Sequence, residues 1–471
     1  MTSPFDLLIS EALGSDLAPG AEVMETGEAE LPSCFRVSEL ATASLKAAAR
    51  EMAALRGARH AVIDRRLASL WFDMTLRPIG WELPSAWDPI AGDYAAADGW
   101  IRLHTNAPHH RAAALSVLGC RAERGHVTEA VATWDKAALE AAVVAAGGAA
   151  AAMHSLDEWA THPQGKAVAA EPLIAWQETG ASSAPVSMSG LRVLDLTRVL
   201  AGPVVTRFLA GYGAEVLRID PPGWSEPGVE PEVTLGKRRA GLDLTRREDR
   251  ATFEDLLRTT DVLVHGYRPG ALEGLGYGEE ARRKLSPGMI DVSLCAFGRT
   301  GPWAGRRGFD SLVQMSCGIA AEGMRRRAAP RPVPLPVQAL DHATGCLMAA
   351  TVLRALRQRQ ANGRVVSARL SLARTGALLV SGGVRDVTGA PIAETGADLA
   401  PEIEQTGWGP ARRLRFPVTL DRQPPRWDIP AGPLRVDPPS WQAKETTDAG
   451  EALSAPRTSP GAFRERRPRL P

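Results

Sequence analysis

The chain has 471 residues, 44% of them hydrophobic and 23% charged, a globular composition long enough for two or three domains. Lys and Arg (55) nearly balance Asp and Glu (54), leaving a formal charge of +1, so no global field favours nucleic acid or an anionic membrane, and an anionic ligand needs a local site. The five cysteines, Cys34, Cys120, Cys295, Cys317 and Cys346, are widely spaced and contain no C-x-x-C pair, which speaks against a disulfide framework and a zinc knuckle.

The elements follow in chain order. Met1 to Gly14 lacks a basic n-region and a long apolar core, so it does not read as a signal peptide. The Ala-rich run Ala141 to Met153 is shorter than the roughly 20 residues that a membrane span needs. A soluble cytoplasmic protein is expected. Strong helix formers predict helices over Ser38 to Leu55 and Lys136 to Ala146. Between Trp71 and Leu103 the residues Trp, Pro and Gly crowd together, and the turn Asp98-Gly99 introduces a strand, Gly99 to Leu103. Glu178 to Ser189 is rich in small turn residues and reads as a linker. A first domain, 1–185, is therefore expected to be mainly helical α+β.

Beyond the linker, strand and helix alternate. Strands are predicted over Leu191 to Leu196 and Ala214 to Ile219, flanking a helix from Val204 to Gly211. Thr245 and Glu248 have the spacing of a capping box that opens a helix through about Thr259. Further strands are expected over Asp261 to Tyr267 and Ile290 to Phe297. Asp341 precedes a long helix, Ala343 to Arg359, closed by Asn362-Gly363 and followed by a strand, Arg364 to Leu372. The pattern predicts a doubly wound, Rossmann-like parallel sheet over 186–388. Pro and Arg rise after Gly389, and 389–471 reads as a partly disordered extension.

The first β-α-β run lacks G-x-G-x-x-G, since its turn reads DLTRVLAGP, which argues against a nicotinamide oxidoreductase. Walker A, G-x-S-x-G and H-E-x-x-H patterns are absent as well. His104, His109 and His110 have no acidic residue beside them and read as solvated loop histidines; no metal site is expected. Lys237-Arg238-Arg239 and Arg268 sit near strand ends, where basic side chains can hold phosphate, and a solvated loop fits their spacing equally well. Asp341 reads by propensity as a helix N-cap. Its apolar flanks, PVQAL before and ATGC after, also suit a partly desolvated carboxylate nucleophile.

Six segments in order, LRVLDLTRVLAGP (191–203), GAEVLRIDPPG (213–223), GKRRAGLDL (236–244), DVLVHGYRPGALEGLGYG (261–278), FGRTGPWAGRRGFD (297–310) and ALDHATGCLMAA (339–350), resemble the family III CoA-transferases. That family includes the formyl-CoA and carnitine CoA-transferases and the α-methylacyl-CoA racemases. DYAAADGWIRL (93–103) and AAGGAAAAMHSLDEWATHPQ (145–164) resemble the small domain and C-terminal return of the same family, so the two portions stand in reversed order. The resemblance implies a CoA-transferase that moves CoA between an acyl-CoA and a carboxylic acid, with CoA as a substrate moiety, no permanently bound cofactor, and a homodimer. It implies Asp341 as the nucleophile that passes through an aspartyl anhydride and an aspartyl-CoA thioester. It matches Val199, Leu200, Ala201, Leu235, Lys237, Gly266, Tyr267 and Arg268 to CoA-contacting positions, with Lys237 and Arg268 on the phosphates. Two departures stand out: the family's glycine-rich loop has no counterpart before Tyr94, and Phe309 occupies the position where the racemases carry His. A racemase-like isomerase and a non-catalytic CoA-binding partner subunit are the alternatives.

Overall fold

The computed structural model describes residues 3–15, 17, 21–387 and 389–442. Among the described residues the largest sheet has seven strands: β1 (Ala175–Ala181), β2 (Arg192–Leu196), β3 (Glu215–Asp220), β4 (Lys237–Gly241), β5 (Val262–His265), β6 (Ile290–Cys295) and β7 (Arg364–Ser371). Their spatial order is β4-β3-β2-β5-β6-β7-β1. All neighbours are parallel except β7 and β1. The interior strands β5 and β6 are buried along their whole length, as expected of parallel strands with helices on both faces. From β2 the chain first builds outward through β3 and β4, then returns to β5 on the other side. The order therefore reverses between β2 and β5, and the crevice at the carboxyl ends of those strands is where an open α/β sheet binds its ligands.

Four helices position that crevice: α1 (Val37–Arg56), α2 (Ala201–Gly211), α3 (Asp310–Ser316) and α4 (Ala339–Asn362). With 24 residues, α4 is about 36 Å long and packs along both α1 and α2. Its crossing with α2 is close because residue 345 is glycine: a Cβ there would lie 2.5 Å from the Ala201 carbonyl oxygen and 2.7 Å from Val204 Cβ. The helix ends at Gly363, whose φ of 74° supplies the left-handed cap.

Most predicted elements appear within a few residues of their expected bounds, with four differences. The expected linker starts inside a strand, because Glu178, Gly180 and Ala181 of β1 pair with Val366, Val365 and Arg364 of β7. The expected boundary at 185/186 thus falls in a loop between two strands of one sheet, and Met1–Trp441 is one compact unit. The expected extension contributes strands through residue 420: Val418–Leu420 pairs with Ala61–Asp64, and Gly409–Arg413 with Leu76–Pro78. The rest of the segment expected to be partly disordered, 443–471, lies outside the described residues. Finally, the Thr245 capping box does not form. The Thr245 hydroxyl donates to Asp243 Oδ1 at 2.6 Å, a local turn that competes for the capping hydroxyl, and the helix runs Arg247–Arg258 without a side-chain cap.

One buried carboxylate ties all three portions of the chain together. Glu232, fully buried, accepts from the Thr75 N–H at 2.8 Å, from the Arg413 guanidinium at 3.3 Å and from Arg207. Burial alone would raise its pKa, yet Arg207 and Arg413 hold it at about 2. Its contribution to stability is therefore complete above the ordinary carboxylate range and is lost as pH falls toward 2. Glu232→Gln should lower unfolding stability at pH 7 by about 3 to 5 kcal/mol, because it leaves the buried Arg207 without a carboxylate and strips Arg413 of one of its two, Glu404 being the other. In denaturant titrations the gap between variant and wild type should shrink below pH 4.

Candidate active site

The reversal point of the sheet opens into a cleft of about 390 Å³. The turn after β2 supplies Arg198, Val199, Leu200 and Ala201, the turn after β5 supplies Gly266, Tyr267 and Arg268, and α4 supplies Asp341. Seven of the nine residues singled out from the sequence therefore line one cleft. The other two, Leu235 and Lys237, do not reach it.

Lys237 is a correction. Its ammonium is wholly buried, bonded to Asp195 Oδ2 at 3.0 Å and to the Pro203 carbonyl at 3.1 Å, and it does not line the cleft where a phosphate would sit. Burial pulls its pKa down to about 8 against the pull of Asp195. Asp195 also accepts from the Thr197 N–H at 2.9 Å and the Thr206 hydroxyl at 2.6 Å. Lys237 thus holds the β2–α2 turn from behind. Leu235 is a core residue, 3% exposed. The rest of the basic cluster faces the C-terminal segment: Arg238 donates to the Ser440 and Pro438 carbonyls, and Arg239 to that of Pro430.

The cations that do line the cleft were not singled out: Arg198, Arg306 and Arg307 join Arg268. Arg306 is paired with Glu140 at 2.7 Å. Arg198 donates to the Tyr267 hydroxyl at 3.0 Å and lies over the Trp224 and Tyr267 rings, 4.7 and 5.2 Å from their centroids. Among the described residues no carboxylate pairs with Arg198, Arg268 or Arg307. Arg198 and Arg307 do sit within quoted family segments, but a spacing pattern cannot say which arginine of a run faces the crevice.

The turn itself is strained. Val199 has a φ of 63°, uncommon for any residue with a side chain and a true outlier for a β-branched one. It is held by its N–H donating to Glu226 Oε2 at 2.8 Å, and that carboxylate also accepts from Trp224 Nε1 at 3.0 Å and from Arg218 at 2.5 Å.

Asp341 stands inside the first turn of α4, two residues after its start at Ala339, and so is no N-cap. The cap comes instead from Asp310 on α3, whose Oδ2 accepts the N–H groups of Leu340 at 2.8 Å and Asp341 at 2.9 Å. Asp341 is 7% exposed. Burial, and then the nearby Asp310 carboxylate, push its pKa well above the ordinary value. Asp310 is raised as well, by burial first, although Gln314 and two backbone N–H groups oppose this.

For two of the three histidines the expected solvation is also corrected, while His109 is exposed as expected. His104 and His110 are buried, 5% and 3% exposed. His104 stacks on Phe309 at 3.7 Å between centroids, and burial lowers the two pKa values to about 3 and about 4. His109 and His110 both line the cleft, which brings the N-terminal portion into its wall. Among the described residues no cluster of His, Cys, Asp and Glu could hold a metal, and no helix is long and apolar enough to cross a membrane.

Residues 188–397 match CoA-transferase family III. This part of the chain is similar to that family. The chain is 34% identical over 190 residues to the probable fatty acyl-CoA transferase Rv3272 of Mycobacterium tuberculosis, covering 37% of this chain and 48% of the relative. It is 32% identical over 193 residues to the succinyl-CoA:glutarate CoA-transferase of Mus musculus, covering 38% and 43%. It is 38% identical over 142 residues to the acetyl-CoA:oxalate CoA-transferase of Acetobacter aceti, covering 28% and 36%. The match thus spans less than half the length of each relative. A crystal structure of Rv3272 aligns at 31% identity over 41% of this chain and 57% of that one, with a TM-score of 0.38.

The buried carboxyl pair makes the site costly to the fold at high pH. A carboxyl whose folded pKa lies above its unfolded one stabilises the protein when protonated, and that stability is lost as pH rises through the folded pKa. Asp341→Asn is therefore expected to raise the melting temperature relative to wild type at pH 8 and to leave it nearly unchanged at pH 4, measured by calorimetry.

Proposed function

We propose that the chain is a CoA-transferase that moves CoA from an acyl-CoA donor to a carboxylic acid acceptor, with Asp341 as nucleophile. The observation that carries this reading is that Asp341 lies with the turns 198–201 and 266–268 in one cleft, inside the segment that matches family III. The ionised Asp341 attacks the thioester carbonyl, the C–S bond breaks, and CoA leaves as thiolate, giving a mixed anhydride. The thiolate then attacks the Asp341 carbonyl of that anhydride, releasing the first acid as carboxylate and forming an aspartyl-CoA thioester. An acceptor carboxylate attacks this thioester, and returning thiolate takes the new acyl group, which frees Asp341. Covalent catalysis of this kind splits a hard direct exchange into easier steps. Burial and the neighbouring Asp310 carboxylate, which raise the Asp341 pKa, favour its protonated form. The anhydride needs shelter from water, and the apolar walls supply it.

Arg198, Arg268 and Arg307, free of carboxylate partners among the described residues, are the groups proposed to hold the CoA phosphates, in place of Lys237. CoA as a substrate moiety, with no resident cofactor, fits this set. By resemblance alone, the reading carries with it a cytoplasmic homodimer and the reversed order of the two family portions. The shared sheet and the His109–His110 wall support one cleft built by both portions.

A second reading has a specific observation behind it. Although Phe309 fills the racemases' His position, His109 and His110 bring imidazoles to the cleft beside Asp341, so a neutral imidazole and a protonated carboxyl could exchange an α-proton. Deuterium uptake at the α-carbon of an acyl-CoA in D2O, without exchange of labelled CoA, would favour that reading.

Wild-type protein should incorporate labelled CoA into acyl-CoA, and hydroxylamine should trap an adduct on Asp341. Asp341→Ala should lose both; retained exchange would defeat the nucleophile assignment. Arg268→Ala and Arg198→Ala should each weaken CoA binding about ten-fold or more by calorimetry, since charge-assisted bonds contribute about 1.5 to 3 kcal/mol. Lys237→Met should chiefly lower unfolding stability, by about 3 to 5 kcal/mol, through the buried Asp195 it leaves unpaired.

A further inference from the structure

A second cavity, of about 210 Å³, adjoins the cleft and shares Val199, Trp224 and Phe309 with it. The two have opposite electrostatic character. The cleft carries four arginines and one buried carboxyl, whereas the residues around the second cavity include no Lys or Arg. Its acidic members are occupied with structure. Asp88 Oδ1 accepts from the Thr105 hydroxyl at 2.7 Å and the Ile90 N–H at 3.1 Å, and Glu226 accepts from Val199, Trp224 and Arg218.

What the cavity offers a ligand is aromatic surface. Trp87, from the Trp-rich insert, faces it from the N-terminal portion, and Trp224 and Phe309 face it from the catalytic portion. His104 completes this wall, stacked on Phe309 and held neutral by burial. Its buried Nδ1 has no hydrogen-bond partner. A cavity of about 150 Å³ is enough to take up benzene, so this one has room for a ring and its methylene.

We propose that this cavity is the acyl pocket, and that it selects uncharged apolar acyl groups, aromatic ones in particular, over acyl groups that end in a carboxylate. The inference rests on the CoA-transferase reading and names its substrate class. A thioester seated with its CoA along the arginine-lined cleft reaches the shared walls Val199, Trp224 and Phe309 with its acyl end. A distal carboxylate placed beyond them would be desolvated with no Lys or Arg among the lining residues to pair it, the nearby Arg111 and Arg218 being already held by Asp88 and Glu226, and burying an unpaired charge is costly. A ring there displaces water from aromatic walls and meets no unmatched charge.

Binding of unreactive thioethers to the full chain tests this without turnover. Calorimetry with free CoA, S-(2-phenylethyl)-CoA and S-(3-carboxypropyl)-CoA should give CoA binding, with the phenylethyl compound bound about ten-fold or more tighter than the carboxypropyl one, within the range that apolar pockets discriminate. Trp87→Ala removes one wall at a position already 40% exposed, so the fold is not at stake. Ala107→Leu fills the cavity from another side. Both should shrink the preference to about three-fold or less and leave CoA affinity within about two-fold of wild type. Equal or tighter binding of the carboxypropyl compound overturns the proposal, as does a preference that survives both substitutions. Failure of free CoA to bind would instead bring down the transferase reading itself, and the pocket assignment with it.

Discussion

The approach of α4 to α2 governs the geometry of the cleft. Only because residue 345 has no side chain can the two helices cross with backbone in contact, and the first turn of α4, with Asp341, then comes down beside the turn that follows β2. That turn cannot yield. Behind it the Lys237–Asp195 pair, Thr197 and Thr206 are fully buried, and a buried pair of this sort contributes little net stability but penalises any rearrangement that would separate it. The carboxyl and the turn are thus fixed against each other by packing on one side and by charge on the other, the preorganisation that a covalent step needs.

The same rigidity explains why two carboxyls can sit so close. Asp310 is spent on the N-terminus of α4, where two N–H groups and the helix dipole favour its charge. Asp341 receives no such bonds through its side chain among the described residues and bears the cost of the neighbouring charge. Of two like groups in one site, the unsolvated and unbonded one takes up the proton. A less basic, better bonded carboxylate would be easier to keep ionised but a poorer nucleophile, so under the role proposed for Asp341 the arrangement would trade folding stability for reactivity.

Much of this was legible in the sequence because it is local. The strands β2, β5 and β6, the long helix closed at Gly363, and the turns 199–201 and 266–268 follow from short-range hydrophobic pattern, turn chemistry and family segments. What escaped was set at long range. Lys237 reads as an exposed cation beside two arginines, and only the register of β4 against β3 turns it inward to Asp195 while Arg238 and Arg239 meet the segment around Pro438. His104 and His110 lack acidic neighbours in the chain, which made solvation the simple reading; the aromatic ring that buries His104, Phe309, comes from 205 positions further on. The break at 185/186 looked like a linker because Ser, Ala and Gly are plentiful there, yet small residues also suit an edge strand such as β1, and composition alone does not tell the two apart.

Val199 joins the two cavities physically. A β-branched residue does not adopt a φ of 63° unless its surroundings insist, and here the Glu226 carboxylate insists by accepting its N–H. The same carboxylate accepts from Trp224, and Trp224 carries the face on which Arg198 rests. The strained residue, the aromatic wall of the second cavity and a cation of the cleft therefore share one anchor. Arg218, which also pairs with Asp220, bonds that anchor from the sheet side. A displacement of Trp224 would therefore disturb Val199 through the shared Glu226 carboxylate and Arg198 through the ring on which it rests.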